Sequence, residues 1–168
     1  MFTDEARFGR MNRIRPCWAP VGVRPEVAAQ LVREYIYLYG AVSPKDGTCV
    51  YLIMPTSNTA SFQIFLDVLA RRFAQQNILL VLDGAPNHRC RDLVIPGNIT
   101  LLPLPPYSPE LNPTENLWDE IREKIFKNYA LKSMDAVRAK LKQAILYIER
   151  NPNLVRSITS FPYIVNSL

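Results

Sequence analysis

Histidine is almost absent from this 168-residue chain, His88 being the single one. A zinc site rich in imidazole ligands is therefore hard to build. Cysteine adds little. Cys17, Cys49 and Cys90 are odd in number, widely spaced and form no Cys-x-x-Cys pair, which argues against a disulfide framework and a zinc knuckle and for reduced thiols. No apolar run approaches the roughly 18 residues that cross a bilayer, and no signal peptide opens the chain. A soluble, intracellular protein is expected. Repeats, low-complexity tracts and interdomain linkers are also lacking, and the length suits one domain with a real core. Acids fall short of bases, 15 against 20, for a net charge of +5. That excess favours a polyanionic partner, of which nucleic acid is the usual one.

Apolar residues make up 48% of the chain, ordinary for a folded protein. Residues 2–8 read as a short strand. The following segment is punctuated by Pro16, Pro20, Gly22 and Pro25, so a loop is expected, with a short strand around Cys17-Trp18. Residues 35–42 and 48–54 form a hairpin about an Asp-Gly turn. Phe62, Phe65, Leu66, Leu69 and Phe73 make a helical stripe over residues 59–75, with Asn58 or Thr59 as the cap. Residues 78–82 read as a buried strand with both faces covered. A short irregular or helical piece runs to Leu93, and residues 99–102 form another strand. Two helices close the order, 113–127 with Leu117, Trp118, Ile121 and Ile125 inward, and 134–149 with Met134, Val137, Leu141, Ile145 and Ile148 inward.

Strands alternating with helices after an antiparallel start imply an α/β fold, a mixed five-stranded sheet with helices on both faces. The order matches the ribonuclease-H-like fold. In it the first strand and the strand after the long helix lie side by side, which makes Asp4 and Asp83 neighbours.

Three acids on three rigid elements point to a site for divalent metal and phosphate. Asp83 ends an apolar strand, where ligands of parallel sheets collect; it also fits a turn Asp bonded to the Gly84-Ala85 backbone. Glu115 lies in Asn112-Pro113-Thr114-Glu115, a helix start with Asn112 as N-cap, Pro113 at the first helical position and Glu115 as the capping-box residue. Asp4 and Glu5 must point to opposite sheet faces, so only one enters the site, and Asp4 is the better choice because it shares a face with Ala6 and Phe8. Arg7, Arg10, Arg13 and Arg15 crowd beside Asp4 as either a DNA-facing patch or a solvated edge. Arg122 either pairs with Glu115 or reaches a phosphate. His88 positions substrate, touches a DNA phosphate, or is a satisfied loop histidine.

Three stretches carry a resemblance. They are Asp4-Glu5-Ala6-Arg7-Phe8, Val81-Leu82-Asp83-Gly84-Ala85-Pro86-Asn87-His88, and the long Pro105-Pro106-Tyr107-Ser108-Pro109-Glu110-Leu111-Asn112-Pro113-Thr114-Glu115-Asn116-Leu117-Trp118. With 32 residues from Asp83 to Glu115, the chain resembles the DDE transposases of the mariner superfamily, most closely their bacterial insertion-sequence branch. The likeness covers nearly the whole chain, residues 1–168 being expected to form the catalytic domain. It implies that Asp4, Asp83 and Glu115 are catalytic and bind two Mg²⁺ ions, with Mn²⁺ as a substitute. It also implies transposon-end and target DNA as partners, a TA target, a homodimeric assembly and action at the bacterial nucleoid in the cytoplasm.

Two departures stand out. Family members carry an N-terminal helix-turn-helix region that nothing before Asp4 could supply, so a split transposase, an excised domain or a decayed copy is expected. Gly84 stands where many relatives carry Asn. Two other readings stay open, an inactive DNA-binding or dimerising fragment that regulates transposition, and a stand-alone nuclease of the same fold.

Overall fold

The computed structural model describes residues 1–12 and 14–166; Arg13, among the arginines named above, lies outside them. Five strands form one sheet in the order β3-β2-β1-β4-β5. These are β1 (Phe2–Gly9), β2 (Tyr35–Val42), β3 (Cys49–Met54), β4 (Ile78–Leu82) and β5 (Ile99–Pro103). The first three are antiparallel, and β4 and β5 join β1 in parallel. The expected mixed sheet is thus formed, with β1 at its centre.

Alternation along β1 and β2 sends side chains to two separate cores. On one face, Tyr39 and Ala41 of β2 join Leu80 and Leu82 of β4 beneath α1 (Thr59–Arg72), which contributes Phe62, Phe65, Leu66 and Leu69. Asn58 caps that helix by accepting from the Ser61 amide at 2.9 Å. On the other face, Ala6, Phe8, Ile36 and Leu38 pack against α2 (Thr114–Ile121) and α3 (Met134–Glu149). Helices therefore lie on both faces of the sheet, but β4 is not covered on both faces along its length as expected, since Leu79 is 52% exposed.

Three further expectations are corrected. No strand forms at Cys17-Trp18. The described residues between β1 and β2 hold no helix or strand, as a proline-punctuated stretch short of backbone donors would. They are tied down instead by Asn12, whose Nδ2 donates to the Ala28 carbonyl at 2.7 Å and whose Oδ1 accepts from the Gln30 amide at 2.8 Å. Second, the helix that begins at Thr114 changes to a π-helical turn over Arg122–Phe126. Third, α3 is not the last helix. It is followed by α4 (Pro152–Thr159) and α5 (Pro162–Val165), which bear on the start of α2. Asn116 Nδ2 donates to the Ile158 carbonyl and Tyr163 Oη to the Leu111 carbonyl, each at 2.6 Å.

Candidate active site

The parallel ladder between β1 and β4 has one residue pair, Phe2 with Val81. Two residues further on in each segment stand Asp4, within β1, and Asp83, just past the end of β4 at Leu82. There β1 continues alone, and a cavity of about 430 Å³ opens. Asp4, Asp83 and Glu115 all line it, with Arg89 and the proline-rich loop 104–109 forming further wall.

Asp4 is held from the α2 side. Trp118, fully buried, donates from Nε1 to Asp4 Oδ2 at 2.7 Å. The indole fits there because Gly40, paired with Asp4 across the sheet, has no side chain. A Cβ at Gly40 would lie 2.5 Å from Trp118 Cη2. Burial pushes the Asp4 carboxyl up to about 7, the Glu115 charge adds to the rise, and the Trp118 bond opposes it.

Glu115 is delivered by the start of α2, which is nailed to β1. Asn112, 5% exposed, donates from Nδ2 to the Thr3 carbonyl at 3.0 Å and accepts the Thr114 amide on Oδ1 at 3.1 Å. The helix starts one residue later than expected, at Thr114 with Pro113 as its N-cap, and the Asn112 side chain bonds the amide of its first residue. The capping box itself does not close, since the Asn112 amide is already bonded to the Pro109 carbonyl at 2.9 Å. Glu115 is left to face the cavity. Burial raises its pKa, Arg122 counters, and the charges of Asp119 and Asp83 add to the rise.

Asp83 does both things its position allows. Its Oδ1 accepts the Ala85 amide at 3.0 Å, the turn bond, while the carboxylate also lines the cavity. The same Oδ1 lies 2.8 Å from His88 Nδ1, and His88 Nε2 lies 2.9 Å from Glu5 Oε1. The His88 side chain is 2% exposed, which leaves no surface for a DNA phosphate and replaces the expected contact. Burial alone would lower its pKa, but the Glu5 bond and charge, followed by those of Asp83, raise it.

The arginines are dispersed. Arg10 bonds the Leu131 carbonyl at 3.1 Å and Glu34 at 2.8 Å. Arg15 pairs with Glu123 at 3.1 Å, and Arg122 lies 3.7 Å from Asp119. Arg7 is exposed, its guanidinium 4.4 Å from the centre of the Tyr35 ring. None of these lines the cavity; Arg89 does. A Cβ at Gly84 would come within 2.0 Å of Arg89 Nη2, so glycine at this position makes room for the guanidinium against the backbone. Nothing periodic marked Arg89, which sits in an irregular stretch. Tyr107 is a second missed rim residue, fully exposed and held at a φ of 57°.

Among the described residues, no three His, Cys, Asp or Glu side chains stand close enough together to enclose an ion. The three acids reach the cavity from three different elements, β1, the turn after β4 and the first turn of α2. Their donor chemistry nonetheless suits a hard cation. All are carboxylate oxygens, and Asp4 and Glu115 are both raised by burial and by neighbouring acids, which a cation would relieve.

The sheet order and the acid-lined opening at its centre define a ribonuclease-H-like α/β domain. Residues 1–138 match the family model described as DDE superfamily endonuclease, and the chain belongs to that family. It is similar to "Uncharacterized protein y4pE/y4sA" of Sinorhizobium fredii (strain NBRC 101917 / NGR234), 38% identical over 104 residues, covering 61% of this chain and 77% of that protein. Among solved structures it is similar to the Mos1 transposase paired-end complex with left transposon end, at TM-score 0.62 and 19% identity over 95% of this chain. The catalytic domain of Mos1 mariner transposase matches at TM-score 0.60 and 17% identity, covering 95% of this chain and 78% of that one. This chain spans about half, 55%, of the Mos1 chain in the first of these complexes. Identities this low carry the fold. Among the described residues no helix is long and apolar enough to cross a membrane.

Proposed function

We propose that this chain is the catalytic domain of an insertion-sequence transposase, cutting DNA at transposon ends and joining the freed 3′ ends to target DNA. The observation that carries the reading is that Asp4, Asp83 and Glu115, from two strands and a helix, line one cavity. Matching Mos1 paired-end complexes were solved with Mn and with Mg, which supports divalent metal here. Asp4, Asp83 and Glu115 would hold it, as two ions. Bound there, such ions supply Lewis acidity toward the attacking and leaving oxygens of a phosphodiester.

The chain's own residues have distinct parts. Trp118 and Gly40 fix Asp4, the Ala85 amide fixes Asp83, and Asn112 fixes the helix that aims Glu115. Arg89 supplies a cation to the cavity wall for phosphate oxygens. DNA, a TA target, homodimeric assembly and action on the bacterial nucleoid in the cytoplasm belong to the same reading.

The test is nicking of supercoiled plasmid with Mg²⁺ or Mn²⁺ by wild type and by Asp4→Asn, Asp83→Ala and Glu115→Gln. Wild type should nick and each variant should lose activity by at least about 100-fold, as expected when a metal or transition-state contact is removed. Equal nicking by wild type and Asp83→Ala would end the catalytic reading. Nicking without strand joining on a substrate bearing transposon ends would leave a nuclease. DNA binding without nicking would leave a regulatory fragment.

A further inference from the structure

Asp83 is the most exposed of the three acids. It follows the last residue of β4, its side chain is 54% exposed, and the ladder to β1 has already stopped at the Phe2–Val81 pair. A carboxylate in that position would rotate freely unless something held it. We propose that His88, braced by Glu5, is the positioning residue that sets the Asp83 carboxylate and the width of the gap between β1 and β4. The inference rests on the reading of Asp83 as a metal ligand.

The geometry runs as a chain of three groups. His88 Nδ1 meets Asp83 Oδ1 at 2.8 Å, and Nε2 meets Glu5 Oε1 at 2.9 Å. His88 therefore holds Asp83 at two points, through the 2.8 Å contact of Nδ1 with Oδ1 and a 3.4 Å hydrogen bond of the same Nδ1 to the Asp83 backbone carbonyl, while the Ala85 amide donates to Oδ1. The ring is fixed on its own account. It is 2% exposed, and its centroid lies 4.3 Å from that of Phe62 on α1. Glu5, 9% exposed in its side chain, is buried for a carboxylate and would be costly there without the imidazole.

The donor inventory explains why position 5 must be polar. The buried Nε2 needs a partner, and Glu5 supplies it at 2.9 Å. With Nε2 bonded there, the ring is turned so that Nδ1 faces Asp83. Neither nitrogen is free for proton transfer or for DNA. Strand alternation makes the arrangement economical: β1 sends Asp4 into the cavity from one face and Glu5 to the brace from the other. Carboxylate–histidine supports of this kind typically change metal affinity by about 10–100-fold when removed.

Titration of Mn²⁺, followed by the electron-spin resonance of the free ion, tests the proposal on wild type, Asp83→Ala, His88→Ala, Glu5→Leu and Glu5→Gln. His88→Ala and Glu5→Leu should bind Mn²⁺ about 10–100-fold more weakly, with the Mn²⁺ dependence of nicking shifted in parallel. Glu5→Gln should stay near wild type, because an amide can bond Nε2 and leave Nδ1–H for Asp83. Wild-type affinity in His88→Ala and Glu5→Leu, alongside lost binding in Asp83→Ala, would overturn the brace and spare the metal site. Wild-type binding and nicking in Asp83→Ala would remove both. Should His88→Ala fail to fold, the Glu5 pair decides, and equal behaviour of Leu and Gln there overturns the proposal.

Discussion

The indole of Trp118 gives Asp4 one hydrogen bond, at 2.7 Å, against a desolvation that one neutral donor does not offset. The carboxyl is consequently raised from 3.8 to about 7. An acid whose folded pKa is raised binds its proton more tightly when folded, so its contribution favours folding below pH 3.8 and is lost as pH climbs to about 7. Asp4→Asn keeps an acceptor for the indole and removes the ionisation. Each pKa unit corresponds to about 1.4 kcal/mol, so the variant should exceed metal-free wild type by on the order of 4 kcal/mol at pH 8 and lose that advantage near pH 4. Denaturant melts at the two pH values measure this; a wild type as stable as the variant at pH 8 would contradict it. Gly40→Ala attacks the same contact from below. Its Cβ would meet Trp118 Cη2 at 2.5 Å, and overpacking of this kind costs about 1–3 kcal/mol, with nicking reduced as Asp4 loses its bond. That Asp4 and not Glu5 lines the cavity was legible from strand alternation together with the face Asp4 shares with Ala6 and Phe8. The role of Glu5 was not, because its partner His88 lies 83 residues away and only the fold joins them.

At the scale of elements, the start of α2 matters more than its length. Asn112 serves two masters, bonding the Thr3 carbonyl of β1 and the Thr114 amide, so it sets both where the helix begins and how it sits against the strand bearing Asp4. Asn112→Ala should cost about 1–2 kcal/mol for the lost bond to the Thr114 amide, and more for the orphaned carbonyl. It should also lower nicking beyond what lost stability explains at a temperature where the variant stays folded. Equal activity per folded molecule would show that Glu115 needs no such anchor. The helix start was readable to within one residue because starts are local chemistry, with the N-cap falling on Pro113 in place of Asn112. The capping box was misread because the competing bond, from Asn112 to Pro109, depends on a 3-10 turn the pattern did not reveal. The final helices escaped for another reason. α4 has only eight residues and buries Val155 and Thr159, too few positions to establish a period.

For the molecule as a whole, the charge of +5 overstates the cationic surface offered to DNA. Arg10 and Arg15 fasten the irregular segment between β1 and β2 to Leu131, Glu34 and Glu123, and these partners, up to 121 residues away, were invisible to local reading. Composition thus pointed to a polyanion without saying which arginines would be free to meet one. Arg10 is bonded within the fold, whereas Arg89 is exposed on the cavity wall. Arg10→Ala should weaken the fold by about 1 kcal/mol, through the bond to the Leu131 carbonyl, and leave the salt dependence of DNA binding unchanged. Arg89→Ala removes an exposed side chain from the cavity wall, so stability should move by no more than about 0.5 kcal/mol. Its effect should fall on DNA, where losing one phosphate contact lowers the slope of log affinity against log salt by about one. Binding of a fluorescent duplex at several salt concentrations, run on both variants, reads the contrast. If Arg10→Ala flattened the slope and Arg89→Ala did not, the DNA would have to run along the irregular segment instead of across the acid-lined opening.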